Sequence, residues 1–228
     1  MSYNGTFPFV LAHGIARPDY LIDSLFRTLN LSLYDFSFVS DRFAYFKGIA
    51  SHLKKHEVEV FHSRVSFAAG VGVRSKDLKK EIQKILQKTK SKKVHIIAHS
   101  MGGLDARHMI VKENMADKVA SLTTIGTPHM GTSAADTALA QGADNIIARF
   151  KYILNLEGVK SVTIKACNAF NERARDKEAT NDVYYQTYSS YQEEKSVFLP
   201  FQVSWKTIRN NEGDNDDNQD EMGQNTIC

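Results

Sequence analysis

Apolar positions along the 228 residues fall into two alternating kinds of segment. Short apolar runs closed by glycine or polar residues read as buried strands, and apolar residues three and four apart read as one face of a helix. Phe7-Pro8-Phe9-Val10-Leu11-Ala12, ended by His13-Gly14, predicts a first strand. Phe43 to Lys55 predicts a helix, and Val58-Glu59-Val60-Phe61 begins a second strand. Leu78, Ile82, Ile85 and Leu86 line one face of a helix running to about Thr89, for which Ser75 predicts the cap and Asp77 a favourable charge near the positive end. Val94-His95-Ile96-Ile97-Ala98 is a third strand, Leu104 to Lys112 a helix and Val119 to Ile125 a fourth strand. Helical patterns cover Ser133 to Leu156 and Val162 to Asp176, and Val183 to Tyr188 reads as a further strand. Strands alternating with helices predict an α/β fold around a mainly parallel sheet. No internal repeat or linker divides residues 1–209, which predicts one domain.

After Arg209 the pattern stops. Asn210 to Glu221 contains no apolar residue, so it cannot bury enough surface to offset its ordering entropy. Residues 210–228 are therefore expected to form an acidic, disordered tail. The net charge of +3 hides this split: Arg74 to Lys93 holds nine Lys/Arg against two acids, whereas Asn210 to Cys228 holds six acids and no Lys or Arg. The basic stretch coincides with the amphipathic helix and carries no interleaved aromatics, so it reads as a solvated helix face and no nucleic-acid partner is expected.

Composition narrows the class. The chain is 42% hydrophobic and 24% charged, which is ordinary for a globular protein. No apolar run exceeds four residues, against roughly 20 for a membrane span. The first six residues have no basic and apolar leader pattern, and a cytoplasmic protein is expected. Cys167 and Cys228, the two cysteines, have no metal-ligand spacing.

The candidate chemistry sits between the third strand and the next helix, in Ala98-His99-Ser100-Met101-Gly102-Gly103. A sharp strand-to-helix turn there would strain Ser100 and lift its hydroxyl above the sheet edge. Small residues on both sides, Ala98 and Gly102, suit a turn whose backbones nearly touch. Oxyanion donors are expected from the N–H of Met101, at the helix start, and of Ile15, in the loop after the first strand. His13 reads as a structural histidine of that loop.

These blocks, together with Leu122-Thr123-Thr124-Ile125-Gly126-Thr127-Pro128-His129-Met130-Gly131, resemble the bacterial triacylglycerol lipases of the α/β-hydrolase fold. The resemblance implies a parallel sheet with helices on both faces and a helical lid or cap, placed at residues 133–156. It implies Ser100 as nucleophile, Ile15 and Met101 as the oxyanion hole, and the Thr-Pro-His block lining the site. Lipid or other apolar esters are the implied substrate, with transient contact to a lipid surface through the lid. The family's acid matches Asp216 of Glu212-Gly213-Asp214-Asn215-Asp216, but the apolar residues that follow it in the family are here Asp217-Asn218-Gln219. None of the eight histidines follows Asp216, so the order Ser…Asp…His is not completed. His129, next to the site, is the best substitute base. No match to the family's calcium aspartates is found, and no metal or cofactor is inferred. The expected activity is serine ester hydrolysis. The alternatives are a catalytically impaired or truncated homologue that keeps fold and pocket, and an acyltransferase or thioesterase on the same scaffold.

Overall fold

The computed structural model describes residues 7–14, 46, 48–66, 69–140, 156–189, 193–196 and 205–209. Within them, five strands form one all-parallel sheet: β1 (Phe9–Ala12), β2 (Val60–His62), β3 (Val94–His99), β4 (Val119–Ile125) and β5 (Tyr184–Tyr188). Their order is β2-β1-β3-β4-β5, so the chain winds one way from β1 to β2 and the other way from β3 to β5. In a sheet wound in both directions, the crevice for a ligand opens at the carboxyl ends of the strands where the winding reverses. Here that point lies between β1 and β3. The residues just beyond it are His13-Gly14 and Ser100.

The helices are α1 (Ile49–Lys55), α2 (Val71–Thr89), α3 (Met101–Lys112), α4 (Ser133–Ala140), α5 (Leu156–Ser161) and α6 (Ile164–Thr180). The core is built where their apolar stripes meet the alternating faces of the strands. Val10, Ile96, Ala98 and Leu122 from the sheet pack with Leu78 and Ile82 of α2, Met109 and Ile110 of α3, and Phe170 and Ala174 of α6. In β3 the alternation is regular: Val94, Ile96 and Ala98 are buried, while His95, Ile97 and His99 on the other face are half-buried. None of the described helices is long and apolar enough to cross a membrane.

Several expectations need correction. α2 starts four residues before Ser75, with Gly70 as its cap, so Ser75 is an interior residue whose hydroxyl donates back to the Gly72 carbonyl. Asp77 is likewise too far along to serve the helix start; its carboxylate accepts from the backbone N–H of Ser66 and from the Ser66 hydroxyl. Arg74, counted above with the solvated lysines, has no exposed surface. Helix α3 begins three residues before Leu104. Of the proposed cap, residues 133–140 are helical and Leu156 opens α5, while residues 141–155 lie outside the described residues. The tail 210–228 lies outside them too.

Candidate active site

Ser100 joins β3 directly to α3 with φ 54° and ψ −134°. That combination is nearly glycine-only territory and costs a serine about 1–3 kcal/mol unless its surroundings impose it. They do. The Ser100 N–H donates to Ile125 O at 3.0 Å, tying the turn to the end of β4. The Ser100 carbonyl accepts from the Thr127 hydroxyl at 2.8 Å and from Gly103 N–H at 3.0 Å. The next two glycines let α3 approach its neighbours. A Cβ on Gly102 would lie 2.5 Å from Ala12 O and 2.7 Å from His13 O, so the helix touches the end of β1. A Cβ on Gly103 would collide with the Thr127 side chain and come within 2.9 Å of Thr124 Cγ2. The crowding that demands small residues thus comes from β1 and from the loop after β4, not from Ser100's own strand. Met101 opens α3, and the first amides of a helix have no acceptor within it.

The loop after β1 is held by a buried cationic clamp. Arg74 of α2 donates through Nη2 to His13 O at 2.9 Å and to Gly14 O at 3.0 Å, and through Nη1 to Ser66 O at 3.1 Å. Its Nε and Nη2 both lie 2.8 Å from Oδ2 of Asp105, which projects from α3 five residues after Ser100. The other oxygen of Asp105, Oδ1, is buried without a hydrogen-bond partner. Burial pushes the Asp105 carboxyl up to about 7, with the Arg74 guanidinium opposing the rise. His13 is buried, its Nδ1 2.8 Å from Gly14 O, in keeping with a loop-bracing role. Ile15 lies outside the described residues.

His129 is not placed to accept a proton from Ser100. Arg107 Nη1 lies 3.2 Å from His129 Nδ1, and a guanidinium can only donate, so Nδ1 is the acceptor and Nε2 carries the proton. That Nε2–H donates to Thr124 Oγ1 at 3.0 Å. Burial, and then the charge of Arg107, lowers the ring well below the ordinary histidine range. Both nitrogens are thus committed, and His129 has no free nitrogen with which to act as a substitute base. Arg107 itself is held on several sides: it forms a bidentate pair with Glu178 at 2.8 and 2.7 Å, donates to Asn171 Oδ1 at 2.9 Å and lies over the Phe170 ring.

The remaining histidines serve elsewhere. His95 packs on Phe9 and lies 2.7 Å from Ser121 Oγ, and His108 stacks on Phe170 at 4.0 Å. His52 and His56 lie together at the surface on and just after α1, and His62 is exposed at the end of β2. His99 lies on the face of β3 opposite Ala98. Asp216 is outside the described residues. Sequence reasoning missed Arg74, Asp105 and Arg107, although a signal was present. Arg74 falls one turn before Leu78 on the apolar stripe of α2, where a solvated charge would be out of place.

Residues 61–208 match the PGAP1-like alpha/beta domain. Triacylglycerol lipase 2 of Saccharomyces cerevisiae is 32% identical over a match covering 57% of this chain and 48% of that protein. The triacylglycerol lipase of Pseudarthrobacter phenanthrenivorans is 35% identical over 57% of this chain and 35% of that protein. The chain therefore spans half or less of the length of these curated relatives. In three dimensions it is similar to the mature form of Bacillus licheniformis lipase BlEst2, with a TM-score of 0.66 at 17% identity over 94% of this chain and 78% of that one. It is also similar to a metagenomic carboxyl esterase, with a TM-score of 0.59 at 13% identity over 91% and 57% of the two chains. An all-parallel sheet with a strained serine turn at its winding reversal, matched over residues 61–208 by one family model, leaves a single assignment: the chain belongs to the PGAP1-like alpha/beta domain family and has the α/β-hydrolase fold.

Proposed function

We propose that the chain is a lipase-like serine ester hydrolase acting on carboxylic esters of lipids, with Ser100 as nucleophile. The observation that carries this is the positive φ of Ser100 at the β3–α3 turn, a strain that an ordinary connection does not need. The names of the sequence relatives, triacylglycerol lipases, support the substrate class.

In the proposed reaction Ser100 Oγ attacks the ester carbonyl carbon and gives its proton to a base. The oxyanion is held by the amides of Met101 and Ile15, the first aided by the positive end of α3. Collapse of the tetrahedral intermediate expels the alcohol with a proton and leaves an acyl-enzyme, which water then cleaves to acid and free serine. Asp216, by its match to the family's acid motif, is the candidate acid of the triad. No base is assigned among the eight histidines. We place the cap over this site in residues 133–156, and contact with a lipid surface goes with that placement.

The test is turnover of a short-chain p-nitrophenyl ester by the chain and by Ser100→Ala, with fluorophosphonate labelling in parallel. Labelling and turnover that both vanish in Ser100→Ala support the reading. Equal labelling in the two proteins removes Ser100 as nucleophile. A labelled but inactive wild type points to a homologue that keeps the pocket and lacks the base.

A further inference from the structure

We propose that Thr127 is a positioning residue for the ester-cleaving step, holding the Ser100–Met101 peptide from the loop after β4; this rests on the reading of the site just given. Three observations converge on it. Thr127 has no exposed surface, and its hydroxyl donates to the Ser100 carbonyl at 2.8 Å. Two residues earlier in the same segment, Ile125 O accepts from Ser100 N–H at 3.0 Å. The peptides on both sides of the nucleophile are therefore bonded to one neighbour, the end of β4. That neighbour is itself braced: Gly126 N–H donates to Tyr188 O at 3.0 Å, and His129 N–H to Thr127 O at 2.8 Å. Third, the threonine side chain is pressed against α3, since a Cβ on Gly103 would overlap both of its branches.

Two bonds from one side set two dihedrals. The bond to Ile125 fixes the plane of the peptide before Ser100, and the bond from Thr127 fixes the plane of the one after it. Between two fixed planes φ and ψ are set, which is how 54° and −134° persist in a serine. The same bond also acts on the proposed oxyanion donor. A trans peptide is planar, and its C=O and N–H point in opposite directions. Holding the Ser100 carbonyl toward Thr127 therefore aims the Met101 N–H to the opposite side of the peptide. Gly103 N–H bonds the same carbonyl at 3.0 Å, but that bond lies within α3 and moves with the helix. The Thr127 bond refers the peptide to β4 instead, so nucleophile and donor are held against the sheet together. A donor aimed before charge develops costs no reorganisation at the moment of reaction.

Thr127→Val and Thr127→Ser test this. Valine keeps the shape that fits against Gly103 and removes the hydroxyl, whereas serine keeps the hydroxyl and removes the methyl group. Each gives up one buried feature, so both should melt below the wild type. The readouts are kcat and KM on a p-nitrophenyl ester, per site titrated by fluorophosphonate, and the rate of that labelling, in which a phosphonyl oxygen takes the oxyanion position. In Thr127→Val kcat and the labelling rate should both fall about tenfold or more, with KM within about twofold. Thr127→Ser should stay within about threefold of the wild type in all three. Equal losses in the two variants, following their melting temperatures, make Thr127 purely structural and overturn the proposal. So does a Thr127→Val in which KM rises while kcat and the labelling rate hold. In a wild type that labels without turnover, the labelling rates decide alone. If Ser100→Ala is labelled as fast as the wild type, the hydrolase reading has failed and the role of Thr127 falls with it. If Ser100→Ala is not labelled while Thr127→Val is labelled at the wild-type rate, the Thr127 proposal alone has failed.

Discussion

Helix α3 is flanked by two buried arginines that are held in opposite ways. On one side Arg107, from α3 itself, is gripped bidentately by Glu178 of α6, which keeps 13% of its side chain exposed. Its remaining contacts, Asn171 Oδ1 and His129 Nδ1, are side chains, and together they pin the loop after β4 to α6. On the other side Arg74 comes from α2, and its carboxylate partner Asp105 is fully buried and holds it through one oxygen. Its other donors go to backbone carbonyls of the loop after β1 and of Ser66. Arg107 is a cross-link between the side chains of separate elements. Arg74 grips the main chain beside the proposed site with a counter-charge that has nowhere to turn for water. A buried ion pair stabilises little by itself, yet breaking one is costly. The two arginines should therefore respond differently when their partners are challenged.

The largest effect is expected at Arg107. Arg107→Met strands Glu178, Asn171 and His129 together and should cost about 3–5 kcal/mol, read as a shift in the urea midpoint at unchanged slope. A cost under about 1 kcal/mol would mean that water replaces the guanidinium and that the cross-link is dispensable.

Arg74→Met should cost about 3 kcal/mol near neutral pH, with a penalty that changes on the basic side, whereas Arg107→Met relieves the lowered His129 and His108 and changes on the acid side. Burial already raises the Asp105 carboxyl, and without the guanidinium it rises further above its unfolded value of 3.8. Below about 7 both folded proteins hold this proton and the difference between them is constant; above about 7 the folded wild type releases it while the variant keeps it, so the extra penalty opens there and grows as pH rises. Parallel urea midpoints for the two variants across that range would erase the contrast between the arginines.

Glycine substitutions sharpen the comparison at the level of the backbone. Gly102→Ala meets the carbonyls of Ala12 and His13, which Arg74 holds in place, and should cost about 2–3 kcal/mol. Gly103→Ala meets the Thr127 side chain, which can turn at the expense of its bond to Ser100 O, and should lower the melting temperature less. In the same assay Ser100→Gly should stabilise the fold by about 1 kcal/mol through release of the positive φ, whereas Ser100→Ala keeps the strain.

The smallest effect belongs to His108, next to Arg107. Burial, followed by the charges of Lys112, Arg107 and Arg173, holds it at about 4 against an ordinary 6.5. As pH falls from 6.5 toward 4 the unfolded chain binds a proton that the folded one refuses, so this contribution to stability is lost on the acid side. His108→Phe keeps a ring on Phe170 and should flatten that decline in thermal melts. An unchanged slope would assign the acid sensitivity to the other buried histidines, His95, His99 and His129.

Much of the architecture was legible in the chain because strands and helix faces are local patterns. Val119–Ile125 coincides with β4 to the residue, and the apolar runs ending at Ala12 and Ala98 mark β1 and β3. The serine turn was legible for a similar reason: small residues, a preceding buried strand and a following helix are all neighbours in sequence. Helix starts were less so. A serine at position 75 offers a hydroxyl, but the Gly70 backbone, packed against Glu157 and Ser161 of α5, begins α2 a turn earlier.

The residues alone determined an alternating parallel α/β chain with a strained serine between its third strand and the next helix, since each feature is written in spacings of a few residues. Which charges are buried was decided elsewhere. Arg74 lies in a lysine-rich run and Arg107 follows an aspartate in an apolar helix, and neither spacing reveals that carbonyls 60 residues away, or a glutamate 71 away, will surround them. Burial of a charge depends on how many partners three or four separate elements bring to one point. Only the assembled sheet, with α2, α3 and α6 packed around it, supplies them.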